Sequence, residues 1–135
     1  VLAVLHGFPI RVYYEDTDCA GVMYHANYLK FFERARTEAL RLKGFELIKL
    51  LQYYDAQFVV HSVNLKFLQP AHLDQLLYIV TKVTEVRFAS IKYTQAAYLG
   101  NEQGTLLCQA DLPIACLNSH YRPRELPNIL LKGIK

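Results

Sequence analysis

The chain has 135 residues, enough for one hydrophobic core and few for two. Apolar residues make up 53% and charged residues 20%, which excludes a disordered chain. The net charge of +3 is too mild to imply a nucleic-acid partner but suits an anionic ligand, and no apolar run approaches the ~20 residues that span a bilayer.

The N-terminal run Val1-Leu2-Ala3-Val4-Leu5 is apolar but brief. It has no basic leader or clear cleavage site and does not read as a signal peptide. Residues 8–14, rich in β-branched and aromatic side chains, predict a first strand. An acidic loop with Glu15, Asp16 and Asp18 follows, then the small pair Ala20-Gly21, then Tyr24, His25 and Asn27. From residue 27 to 43 the period changes. Tyr28, Phe32, Ala35, Ala39 and Leu42 recur at steps of four and three, which predicts an amphipathic helix about 25 Å long. Asn27 is the expected N-cap and Gly44 the expected C-cap. Residues 46–53 predict a further helical turn or two.

Strands dominate the rest. Val59, His61, Val63, Leu65 and Phe67 alternate with polar and small residues and predict one strand over 59–67. Residues 70–74 read as a turn, 76–86 as a long strand, 87–90 as a turn or bulge, 91–99 as a strand and 100–104 as a hairpin loop. Over 106–116, Leu106, Cys108, Ala110, Leu112, Ile114 and Cys116 share one face. Pro113 cannot donate to a central ladder, so an edge or a bulge is expected there. No repeat or low-complexity linker divides the chain. The class is α+β: one early helix, then a meander of antiparallel strands, in a single domain over residues 1–135. One helix and an open sheet leave a strand edge and part of a face uncovered, which predicts pairing across a two-fold axis. The three cysteines are odd in number and lack C-x-x-C spacing, which predicts free thiols and a reducing, cytoplasmic setting. Cys108 and Cys116 read as buried small hydrophobes.

The chemistry concentrates before the helix. A helix N-terminus presents unpaired N–H groups and partial positive charge, which can hold an oxyanion while a nearby carboxylate attacks a carbonyl or activates water. Asp18 is the candidate for that role. Its alternative is a turn aspartate bonding nearby N–H groups. Asp16 reads as structural on the same turn preference. His25, with an ordinary pKa of about 6.5, is a second candidate for proton transfer, or else a residue that orients the loop. Gly21 lets a ligand approach the backbone closely. Cys19 adjoins Asp18 and is a rival nucleophile, but no dedicated base is evident for it. Tyr14, Phe31, Phe32, Phe58 and Val60 are walls of a ligand tunnel or plain core. Arg87 with Ser90, and Arg122 with Arg124, are phosphate contacts or solvated charges. His61, His72 and His120 lack metal-ligand spacing, and neither metal nor bound cofactor is expected.

The run D-x-D-x-x-G-V-x-Y-H-A-N-Y-L-x-F-F-E-R-A-R-T-E, from Asp16 to Glu38, resembles the 4-hydroxybenzoyl-CoA thioesterase-like family of hotdog-fold proteins. Within it, the chain is similar to the acyl-CoA thioesterases associated with the bacterial Tol–Pal envelope system. The likeness continues through Phe58-Val59-Val60, Pro70-Ala71-x-Leu73-Asp74, Glu85-Val86-Arg87 and Arg122-Pro123-Arg124-x-Leu126-Pro127. The resemblance implies a curved antiparallel sheet wrapped around one central helix, and metal-free hydrolysis of an acyl-CoA at a dimer interface, with tetramers common. It implies Asp18 as nucleophile or base and His25 beside it. A main-chain N–H at the helix start near Tyr24 becomes the oxyanion donor, and Gly21, Val60, Arg87, Ser90 and Arg124 contact acyl-CoA. Two other readings stay open. A dehydratase or hydratase would pair His25 with Asp18 across a cleft. A non-catalytic module would bind an acyl carrier protein or an envelope component through exposed Arg34, Arg36, Arg122 and Arg124.

Overall fold

In the computed structural model, residues 3–134 are described; Val1 and Leu2, the start of the apolar N-terminal run, lie outside them. Six strands form one antiparallel sheet: β1 (Ala3–Arg11), β2 (Gln57–Val60), β3 (Asn64–Phe67), β4 (Leu76–Arg87), β5 (Ser90–Leu99) and β6 (Leu106–Leu117). The order is β1-β4-β5-β6-β2, and β3 also pairs with β6. The helices are α1 (Asn27–Leu42), α2 (Leu47–Tyr54) and α3 (Asn128–Ile134). Register shifts at Val4/His6, Val83/Glu85 and Ala97/Tyr98 bend the strands, as bulges do, and the sheet curls around α1. This is the arrangement that the early helix and late strands imply.

The period of α1 places Tyr28, Phe31, Phe32, Ala35 and Ala39 against the sheet, all buried. They meet Leu77, Ile79, Val83, Ile91, Tyr93, Ala97, Leu112 and Cys116 in one core. Phe31 and Phe32 have no exposed surface, and burying each stabilises the fold by about 2–3 kcal/mol. Cys108 and Cys116 are buried in that core, and Cys19 is exposed. Burial pushes the Cys108 thiol up to about 12, so it stays protonated and inert at neutral pH.

Several boundaries differ from expectation, each for a physical reason. The first strand runs earlier, over Ala3–Arg11, because Tyr14 starts a single 3₁₀ turn, Tyr14–Asp16. Asn27 is not the cap but the first helical residue; Ala26 precedes it, and the Asn27 amide turns inward to Asp16. Gly44 ends the helix at φ +92°, its N–H donating to Arg41 O at 3.0 Å. The expected strand over 59–67 is broken: β2 pairs with the Ile114–Leu117 end of β6, and β3 with Cys108–Asp111. That break corrects the reading of Pro113, which lies inside the sheet, opposite Lys92 of β5. Its carbonyl accepts from His61 N–H at 3.0 Å, between β2 and β3. In an antiparallel ladder a residue's N–H and C=O face the same neighbour, so the missing donor falls where that neighbour strand is interrupted. The terminal α3 was not anticipated; it buries Leu130 and Ile134 at a spacing of four.

Candidate active site

The loop between β1 and α1 is fixed from beneath. Val12 N–H donates to Gln75 O at 2.9 Å, Asp74 N–H to Val12 O at 3.0 Å and Met23 N–H to Ala71 O at 2.7 Å. The loop is thereby tied to the turn that leads into the first residue of β4. Asp16 is the interior carboxylate. One oxygen accepts from Tyr13 N–H at 2.8 Å and the other from the Asn27 side-chain amide at 2.8 Å. Such charge-assisted bonds at both oxygens hold it inside the loop as a structural carboxylate.

Asp18 has the opposite environment. It opens a tight turn in which Gly21 N–H donates to Asp18 O at 3.0 Å and Asp18 N–H to Val22 O at 2.9 Å. Gly21 sits at φ +80°, a conformation that closes this three-residue loop and that a residue with a Cβ rarely adopts. The Asp18 side chain is exposed. One oxygen accepts from Ala20 N–H at 2.8 Å, and the other has no partner among the described residues. The carboxylate is thus oriented by one bond and open on the other side.

The start of α1 holds unpaired donors beside Tyr24, though not at Tyr24 itself. Tyr24 N–H donates to Asp16 O at 2.8 Å and is therefore occupied. The N–H groups of His25 and Ala26 have no acceptor among the described residues, while Asn27 and Tyr28 begin the helical ladder by donating to Tyr24 O and His25 O. The His25 ring lies 4.5 Å from the Tyr24 ring and meets Phe67 edge-on at 6.0 Å. His25 lines a cavity of about 290 Å³ with apolar walls that include Met23, Tyr28, Phe67 and Leu68. Burial pushes the Tyr28 hydroxyl up to about 12, so it remains neutral.

The remaining candidates lie elsewhere. Arg87 and Ser90 face each other across the β4–β5 turn and line an open, polar cavity of about 650 Å³ with Lys92, Asn64 and Asp111. Arg87 bonds Glu85 at 2.9 Å, an exposed pair that holds the guanidinium only weakly. Arg124 follows β6 and is at the same end of the sheet, since its N–H donates to Cys116 O and Cys116 N–H donates to Ala89 O. Its Nη1 is buried without a partner among the described residues. Val60, at the end of β2, lines a third cavity with Phe58, Tyr93 and Arg36. Among the proposed tunnel walls, Phe31 and Phe32 are core and Tyr14 is fully on the surface. Arg36 is not the exposed cation expected of a carrier-protein contact; it is mostly buried and bonds Gln95. Gln95 and Thr81, both wholly buried, were missed by the sequence reading. The available signal was a glutamine on the inward face between Tyr93 and Ala97.

A family description named the thioesterase superfamily matches residues 20–106. The chain belongs to this superfamily. The acyl-CoA thioester hydrolase YbgC of Escherichia coli O6:H1 is 41% identical over 132 residues, which covers 97% of this chain and 96% of the relative. A probable thioesterase from Bartonella henselae superposes with a TM-score of 0.85 at 39% identity, covering 90% of this chain and 98% of that one. A 4-hydroxybenzoyl-CoA thioesterase variant bound to 4-hydroxybenzoyl-CoA shares the fold, with a TM-score of 0.88 at 19% identity over 96% of this chain and 98% of its own. The α+β hotdog architecture of this chain is the one these thioesterase structures share. Among the described residues no three His, Cys, Asp or Glu side chains gather as a metal site requires, and no helix is long and apolar enough to cross a membrane.

Proposed function

We infer that this chain is an acyl-CoA thioesterase and that Asp18 performs the hydrolysis. The observation that supports the assignment is an oriented, open carboxylate in the loop that leads to two unbonded N–H groups at the start of α1. The His25 and Ala26 donors receive the oxyanion that forms on the thioester carbonyl. Each such donor is typically worth about 3 kcal/mol in the transition state. The Asp18 carboxylate either adds to the carbonyl carbon or takes a proton from the attacking water. Either route ends with water added across the C–S bond, giving the free acid and the CoA thiol. Tyr24 acts through its backbone, holding the loop to Asp16, and its ring orients His25.

The working unit is an oligomer, at least a homodimer. The loop that carries Asp18 is tied to the turn before Leu76, while Arg87 ends the same strand 11 residues on, about 35 Å of extended chain away. The pantetheine arm of CoA is shorter than that. Arg87, Ser90 and Arg124 therefore suit the phosphates of a substrate whose thioester lies at the Asp18 of another copy. The edge at β2, with Val59 and Val60 exposed, supplies a surface for such pairing. The three free thiols support a reducing, cytoplasmic setting.

The deciding experiment is free-thiol release from short, long and aromatic acyl-CoAs by the native chain and by Asp18→Asn. Turnover is expected to fall at least about a hundredfold, about 2.7 kcal/mol of barrier, with the oligomer intact. Turnover that survives the substitution moves the assignment to His25 or Cys19, and a native chain inert toward every acyl-CoA would return the carrier-protein reading.

A further inference from the structure

Arg36 stands one turn beyond Phe32 on α1. Its Nη1 donates to Gln95 Oε1 at 2.9 Å. Gln95 Nε2 donates in turn to Phe32 O and to Thr81 Oγ1, both at 2.9 Å. Gln95 and Thr81 have no exposed surface. Both amide hydrogens of Gln95 are therefore used inside the core, which fixes its carbonyl toward the guanidinium. A long arginine stem can normally carry its charge out to water. Here the buried Gln95 and Thr81 anchor a partly buried guanidinium.

Arg36 lines a cavity of about 80 Å³ between α1 and β2. Phe58, Val60, Leu40 and Ile114 supply apolar walls. A guanidinium carries five N–H donors, and only the bond to Gln95 is made among the described residues. No carboxylate lies within ion-pair distance of it there; the pairs present are Arg41–Glu38, Lys49–Glu46 and Arg87–Glu85. Glu33 stands exposed at the rim. Burial lowers the Arg36 pKa, against the opposing influence of Tyr93 and Glu33. An arginine remains charged all the same. The cavity corresponds to two or three waters at about 30 Å³ each, room for one carboxylate and little more.

We propose that this cavity is a carboxylate-binding site in which Arg36, braced by Gln95 and Thr81, is the forked cationic partner. The carboxylate comes from the acid released by hydrolysis or from the far end of a dicarboxylic acyl group. The choice between those two sources rests on the thioesterase reading, whereas the binding chemistry does not.

The test begins with sodium butyrate titrated into the ¹⁵N-labelled native protein, with butanol as the neutral control. Butyrate, and not butanol, is expected to shift the Arg36 Nε and Gln95 side-chain amide signals. Arg36→Gln is expected to weaken butyrate binding by about tenfold or more, as the loss of a charge-assisted fork does. Arg36→Lys keeps the charge without the fork and should bind at intermediate strength, which covers the case in which Arg36→Gln folds poorly. Glu33→Gln removes the neighbouring negative charge and should tighten binding. The two sources are separated by turnover of glutaryl-CoA against pentanoyl-CoA. A ratio that falls in Arg36→Gln assigns the carboxylate to the acyl group, and an unchanged ratio with lost butyrate binding assigns it to the product. Native signals that ignore butyrate, together with a ratio indifferent to Arg36, overturn the proposal. A native protein that hydrolyses neither thioester overturns the thioesterase reading, and the butyrate titration still decides the cavity.

Discussion

Asp16 and Asp18 lie two residues apart, and the structure gives them opposite duties. Asp16 is buried, with an N–H group aimed at each oxygen. Asp18 is exposed and makes a single local bond. A change of carboxylate to amide therefore separates them by stability. Asp16→Asn must turn an NH₂ toward either Tyr13 N–H or the Asn27 amide, leaving two donors facing each other inside the fold. We expect it to lower stability by about 2 kcal/mol. Asp18→Asn keeps an oxygen for Ala20 N–H and should stay within about 0.5 kcal/mol of native. Urea denaturation midpoints at neutral pH check both; equal losses would mean that Asp18 is also a structural carboxylate. The structural reading of Asp16 was legible because aspartate is a turn residue and the turn is local. Which N–H groups near Tyr24 stay unbonded was not. Tyr24 N–H is occupied by the carbonyl of Asp16, eight residues earlier, and no local pattern reveals that pairing. Arg36 was misread for the same reason: its partner Gln95 lies 59 residues away.

At the scale of elements, periodicity recovered α1 and the three long strands, since each presents a largely apolar inward face. What it missed are places where two elements correct each other. Alternation over 59–67 is regular, so nothing in it signals the break between β2 and β3; the signal sits on β6, in Pro113. The proline and the break explain one another, and neither can be placed alone. The bulge between β5 and β6 is similar. Tyr98 pairs with Leu106 and Ala97 with Cys108, so Leu107 is the extra residue and turns inward. The hairpin that carries this bulge depends on Gly104. A Cβ there would stand 1.8 Å from the Leu99 carbonyl oxygen, a backbone atom that cannot yield without opening the hairpin. Gly104→Ala is therefore expected to destabilise by about 2–3 kcal/mol. Thermal unfolding by circular dichroism would show the loss; an unshifted midpoint would mean that the loop relaxes at no cost to β5 and β6.

For the whole molecule, the long motif around Asp18 and the order of helix and strands sufficed to specify a curled sheet around one helix. Sequence order alone does not reveal that the candidate catalytic turn and the candidate phosphate residues occupy opposite ends of β4, because that separation exists only once the strand is extended. It makes a sharp prediction about subunits. Asp18→Asn removes the carboxylate and keeps the arginines, whereas Arg87→Ala with Arg124→Ala does the reverse. If each site combines the turn of one copy with the arginines of another, a mixed dimer contains one site with both sets intact and one site with neither. Random association of the two variants makes half the dimers mixed, and half the sites in those are complete, so about a quarter of native activity should return. If a site is built within one chain, every site in the mixture lacks one set or the other, and mixing restores nothing above the average of the two variants. The measurement is acyl-CoA hydrolysis by the two variants purified separately, then after joint denaturation and refolding. Recovery near a quarter would place the phosphate contacts across the subunit boundary and make the β2 edge a functional requirement as well as a structural one. Recovery at the level of the average would put substrate along a single chain, and the arginines at the β4–β5 turn would then have to serve some other ligand.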